Sequence, residues 1–85
     1  MNPKRLLARL AAGHLRNVSF RDFCALVGAF GFRLARVQGS HHIYQHDTIA
    51  EQLNVQDVAG EAKPYQIRQF LRLVERYDLR MEDER

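Results

Sequence analysis

His41, His42 and His46 place three of the chain's four histidines within six residues. Histidine, with an unperturbed pKa of about 6.5, is the side chain that both gives and takes protons near neutrality. The segment opens with Gly39-Ser40, a turn signal, and reads as a short strand from His41 to His46. Successive strand residues point to opposite faces, so His41, Ile43 and Gln45 share one side and His42, Tyr44 and His46 the other. Tyr44 is the larger apolar body and the better match for a helical layer, which turns His41 outward and gives the two adjacent histidines different jobs. A proton-transfer site is one reading of this cluster. The plainer one is polar strand residues, or core histidines satisfied by hydrogen bonds. Metal ligation has little support, because no Cys, Asp or Glu stands at ligand spacing and Asp47 is merely adjacent.

The elements that must position these groups follow from periodicity and caps. Pro3 suits the first turn of a helix with Leu6, Leu7, Leu10 and Ala11 on its apolar side, and Gly13 stops it. Ser19 with Asp22 resembles a capping box, and Val18 against Phe23 a hydrophobic staple, so a second helix starts at Ser19. Its stripe is Phe23, Leu26, Val27 and Phe30, and Gly31 supplies the left-handed residue that ends it. After Gly31 the period becomes two, through Phe32, Leu34 and Val37, and Gln38-Gly39-Ser40 turns the chain into the histidine strand. Asp47 to Gln52 reads as a loop, Leu53 to about Val58 as a third strand, and Ala59-Gly60-Glu61 as its break. Pro64 starts a helix with Ile67, Phe70, Leu71 and Val74 at core spacing, running to about Tyr77 before an acidic tail at Glu82, Asp83 and Glu84. This order predicts an α+β two-layer sandwich, a three-stranded antiparallel sheet with helices on one face and the other face open.

Length and composition narrow the function. Eighty-five residues suit one domain with one modest core and leave no room for a second catalytic domain. Lone Cys24 can form no internal disulfide and no zinc motif, which fits a reducing, cytoplasmic setting and a small core residue. Arg9 interrupts the first apolar run too soon for a signal or membrane segment. The net charge of +3 is uneven: residues 1–50 carry seven Lys/Arg against two Asp, or +5, and residues 51–85 six against eight Asp/Glu, or −2. A basic front half favours a polyanion such as nucleic acid, but charge alone does not separate that from a solvated surface. The same holds for Arg68, Arg72 and Arg76, a stripe that suits an acidic partner protein or simply faces water.

Gly31-Phe32-Arg33-Leu34, then Gly39-Ser40-His41-His42-Ile43-Tyr44 and His46, resemble the signature of the HicA family of toxins. The runs Asn54-Val55-Gln56 and Ala62 to Leu71 are similar to its longer members, so the likeness covers about residues 17–79. Residues 1–16 stand as an N-terminal helical extension and 80–85 as a tail. The Pro-x-His element of short members is absent where Gln56-Asp57-Val58 stands. The resemblance implies a fold like the double-stranded-RNA-binding domain, helix-strand-strand-strand-helix, and an mRNA interferase that needs no metal or cofactor. It also implies a HicB-like antitoxin as protein partner. The family's catalytic histidine falls on His41, with His42 as the fallback, and Arg33, Arg36, Ser40, His42, His46 and Lys63 are candidate RNA contacts. The amides at the start of the Pro64 helix are a further candidate anion site. An RNA-binding module of the same fold without chemistry, or a purely structural interaction domain, are the competing functions.

Overall fold

A computed structural model describes residues 1–82, so Asp83 and Glu84 of the expected acidic tail lie outside the described residues. Eight elements follow in order: α1 (Pro3–Ala11), β1 (Val18–Ser19), α2 (Phe20–Ala29), β2 (Arg33–Gln38), β3 (His41–His46), β4 (Ile49–Gln56), β5 (Glu61–Ala62) and α3 (Pro64–Arg76). The architecture is α+β: β2, β3 and β4 form an antiparallel sheet in that order, and the helices pack on one side of it.

The helix starts and stops obey their expected signals. Asn2 caps α1 by accepting from the Lys4 and Arg5 amides, and the Ser19 hydroxyl accepts the Asp22 N–H at 3.2 Å. Asp22 does not close a reciprocal box; its carboxylate accepts from the Met1 amino group instead. Gly31 has φ +90°, and a Cβ there would sit 3.1 Å from His46 Nε2, so this turn needs glycine for both conformation and space.

The apolar stripes converge on one cluster. Leu6 and Leu10 of α1, Phe23, Leu26 and Val27 of α2, Tyr44, Leu53 and Val55 of the sheet, and Ile67 and Phe70 of α3 all belong to it. Phe70 is its aromatic hub, with its ring 5.4 Å from both Phe23 and Phe30 in edge-to-face contacts. In α3 the buried positions are Gln66, Ile67, Phe70 and Leu73, while Leu71 and Val74 are only half-covered. The helix is therefore rolled slightly from the expected stripe.

Two expectations are corrected. The segment Asp47 to Gln52 is not a loop: only Asp47-Thr48 turns, and Ile49 already pairs with His46. Glu51 and Gln52 are poor strand formers, and their pairing is imposed by the hairpin and by side-chain partners of Glu51 described below. The strand also ends at Gln56 rather than near Val58, because Val58 bridges to Glu61 across a tight turn at Ala59-Gly60. The break there returns the chain as β5, which pairs with β1 in a separate two-stranded ladder. Two residues per strand are too few to leave a periodic trace.

Candidate functional site

The β2–β3 hairpin closes through two residues, Gly39 and Ser40, with Gln38 paired to His41 and Gly39 at φ +59°. That is the geometry of a turn with glycine at its first central position, matched to the twist of the strands it joins. It delivers Ser40, His41 and His42 to one end of the sheet.

Register then sorts the side chains. Directly opposed residues share a face, so Gln38, His41 and Gln56 form one row on the open side and Arg36, Ile43 and Asn54 the next. An extra residue at Ala35 shifts the β2 register, so that Val37 rather than Arg36 joins Leu34 on the helical side. Ile43 is buried yet outside the main core cluster, which places it on the open face beneath its polar neighbours. Tyr44 points into the helical layer, 8% exposed, and His41 therefore turns outward as the alternation required.

The three imidazoles have different partners. His41 is half-buried, with Nδ1 3.0 Å from Asn54 Oδ1. A carboxamide oxygen only accepts, so Nδ1 carries a proton, and in the neutral ring this is the tautomer whose Nε2 has the lone pair. His42 lies on the helical side, its ring edge-on to Phe20 at 4.8 Å, with Nδ1 3.3 Å from the Ser40 carbonyl. That carbonyl favours the same Nδ1–H tautomer of the neutral ring, the one whose Nε2 is an acceptor. His46 has neither nitrogen to spare: Nε2–H donates to the Phe30 carbonyl at 3.0 Å, and Nδ1 accepts the Thr48 N–H at 3.1 Å and faces the Thr48 hydroxyl at 3.0 Å.

The other expected contacts divide in the same way. Arg36 sits in the row next to His41 and forms no ion pair among the described residues. Arg33 lies further along β2, opposite Gln45, and its guanidinium is held by Asp47. Lys63 is exposed at the N-cap of α3. The amides there offer little to an anion, since Pro64 has no N–H and the Gln66 N–H turns back to the Lys63 carbonyl. His46, at the far end of β3, is not brought together with His41 and His42.

Asn54, Gln56 and Gln66 join the site without having been singled out as site residues from the sequence. Gln66, 2% exposed, accepts the Gln56 backbone N–H at 2.8 Å through its side-chain oxygen. The Gln56 side chain in turn donates to the Ser40 hydroxyl at 3.3 Å. The start of α3 is thus clamped to the strand ends that carry the histidines. One irregularity in β3–β4 pairing, between Tyr44 and His46, decides that Gln56 opposes His41, and no local pattern announces it.

Beneath the site, Tyr44 and Cys24 share a hydroxyl–thiol contact; burial pushes both groups above their ordinary pKa, so Cys24 stays a neutral thiol. Among the described residues no group of three or more His, Cys, Asp or Glu is placed to hold a metal ion. No described helix is long and apolar enough to cross a membrane.

A family model described as HicA toxin of bacterial toxin-antitoxin matches residues 20–75, from the first residue of α2 to the last turn of α3. Comparison with curated proteins and with solved structures gave no significant match.

Proposed function

The chain belongs to the HicA family of toxins of bacterial toxin-antitoxin systems, and on that premise we propose that it is a metal-independent mRNA interferase acting in the cytoplasm. RNA supplies its own nucleophile. The 2′-hydroxyl attacks the adjacent phosphorus, the bond to the 5′-oxygen breaks, and the products are a 2′,3′-cyclic phosphate and a free 5′-hydroxyl. His41 Nε2 takes the 2′-hydroxyl proton, and the imidazolium so formed, steadied by Nδ1–H to Asn54, returns a proton to the leaving oxygen. Arg36 and Lys63 hold the phosphate and offset charge as it builds on the pentavalent phosphorus, and Ser40 contacts the backbone beside them. A HicB-like antitoxin covers this face, and the exposed stripe Arg68, Arg72 and Arg76 suits an acidic partner surface.

The observation that carries the reading is an outward imidazole with one nitrogen tethered and the other free, beside an arginine without an ion pair among the described residues. His42 is the alternative base, supported by the Ser40 carbonyl that favours its Nδ1–H tautomer. Cleavage of an mRNA fragment by the two single variants separates them. His41→Ala is expected to slow cleavage by roughly 10²- to 10⁴-fold without changing Tm or RNA affinity, and to abolish growth arrest on expression without antitoxin. Loss of rate in His42→Ala alone transfers the role to His42. RNA bound but left uncut by the wild type supports the non-catalytic binding module instead.

A further inference from the structure

Tyr65, in the first turn of α3, is 59% exposed, more than Leu34, Val37 or Tyr77. Tyr77 has evident partners in Glu51 and Arg76, and Leu34 and Val37 lie on the edge strand β2. Among the described residues the Tyr65 ring meets no other ring and no cation. Its hydroxyl, by contrast, is held: the Gln66 side-chain amide donates to it at 3.4 Å. The same Gln66 side chain accepts the Gln56 N–H, and Gln56 stands directly opposite His41. An aromatic ring fixed at its polar end and bare on its face therefore stands two hydrogen bonds from the residue paired with His41.

We infer that Tyr65 is a base-stacking residue, a subsite for one unpaired nucleobase next to the scissile link. The inference rests on the nuclease reading above and deepens it. Every base has a π face, so stacking on tyrosine binds single strands with little sequence preference. A duplex keeps its bases stacked on one another and cannot offer one to the ring without unpairing it. Lys63, two residues before, meets the phosphate that accompanies such a base. The buried Gln66 explains why the ring is pre-positioned: its carboxamide is engaged at both ends, the oxygen by strand β4 and the NH2 by Tyr65. The favoured ligand is single-stranded RNA, with the antitoxin protein as the rival occupant.

The test uses the full chain and a short oligoribonucleotide carrying 2-aminopurine. Binding is read in a His41→Ala/His42→Ala background, and KM and kcat in the wild-type background. Tyr65→Leu keeps apolar bulk without a π face, and is expected to weaken binding and raise KM about 5- to 100-fold while kcat and Tm hold. Tyr65→Phe and Tyr65→Trp are expected to bind like the wild type, with 2-aminopurine quenching that Tyr65→Leu lacks. A duplex of the same sequence should compete poorly. Equal affinity, KM and quenching in Tyr65→Leu and wild type overturns the inference while leaving the nuclease reading intact. The same is true of a Tyr65→Leu defect confined to antitoxin binding, which makes the ring a protein contact. A wild-type protein that neither binds nor cuts RNA overturns the nuclease reading itself.

Discussion

His41 and His46 stand on one strand and differ only in what surrounds them, which makes opposite predictions for the same substitution. His46 ties the end of α2 to the β3–β4 turn through the Phe30 carbonyl and the Thr48 N–H, with its ring edge-on to Phe32 at 5.0 Å. Removing it leaves the partly buried Phe30 carbonyl without this partner, a loss of about 1–3 kcal/mol, while the exposed Thr48 N–H turns to water. His46→Ala is therefore expected to lower the denaturant midpoint while cleavage, measured well below Tm, stays near wild type. His41→Ala should do the reverse. Denaturation and cleavage rates on the two proteins check this, and an inactive but fully stable His46→Ala would refute the latch. Period-two alternation was enough to separate the faces, since Tyr44 goes inward and His41 outward as the spacing demands. It was silent on the hydrogen bonds, because the partners of His46 come from α2 and from a turn, and the partner of His41 comes from a strand whose register depends on a local irregularity.

At the scale of elements, β4 shows how a side chain can hold a weak strand segment in place. Glu51 occupies an inward position on β4, and the Tyr77 hydroxyl at the end of α3 reaches both its carboxylate oxygens at 2.6 and 2.7 Å, with Arg76 3.6 Å away. The Tyr77 hydrogen bond, aided by Arg76, holds the Glu51 carboxyl below its ordinary pKa. A depressed folded-state pKa stabilises the ionised form, so the clasp contributes stability above the unfolded carboxylate value and loses it as pH falls through the folded one. In Tyr77→Phe the Glu51 midpoint, followed by carboxyl NMR titration, is expected to move up. The variant's deficit in Tm should be present at pH 7 and shrink as pH falls through the wild-type Glu51 midpoint; a deficit that does not change with pH would show that the clasp does not act through the carboxylate. This contact also explains why Ile49 to Gln52 was unreadable as strand: its partners lie on α3, more than 20 residues away. Caps and turns, by contrast, were legible at Ser19, Gly31 and Gly39-Ser40, because their chemistry is local.

For the whole molecule, the boundary of the family match is not a boundary of the core. The match begins at residue 20, yet Leu6 and Leu10 of α1 are each 2% exposed and lie in the same cluster as Phe23 and Phe70. A chain this short has little apolar area in reserve. Truncating a buried leucine to alanine costs about 2–5 kcal/mol, against a total stability of about 5–15 kcal/mol for an ordinary domain. Leu10→Ala is accordingly expected to drop Tm by more than about 10 °C, and the volume-conserving Leu10→Met by far less. Thermal unfolding of the two variants checks the claim, and a Leu10→Ala protein as stable as wild type would make α1 an appendage after all. The consequence for function is indirect but measurable. Leu10 lies on α1, which packs on α2 rather than on the histidine strand, so a Leu10→Ala toxin should cut at the wild-type rate per folded molecule while accumulating less in the cell. Weaker growth arrest with an unchanged specific rate would thus trace toxicity to the packing of α1 on α2 rather than to the histidine strand, and the two contributions can be separated by measuring abundance alongside activity.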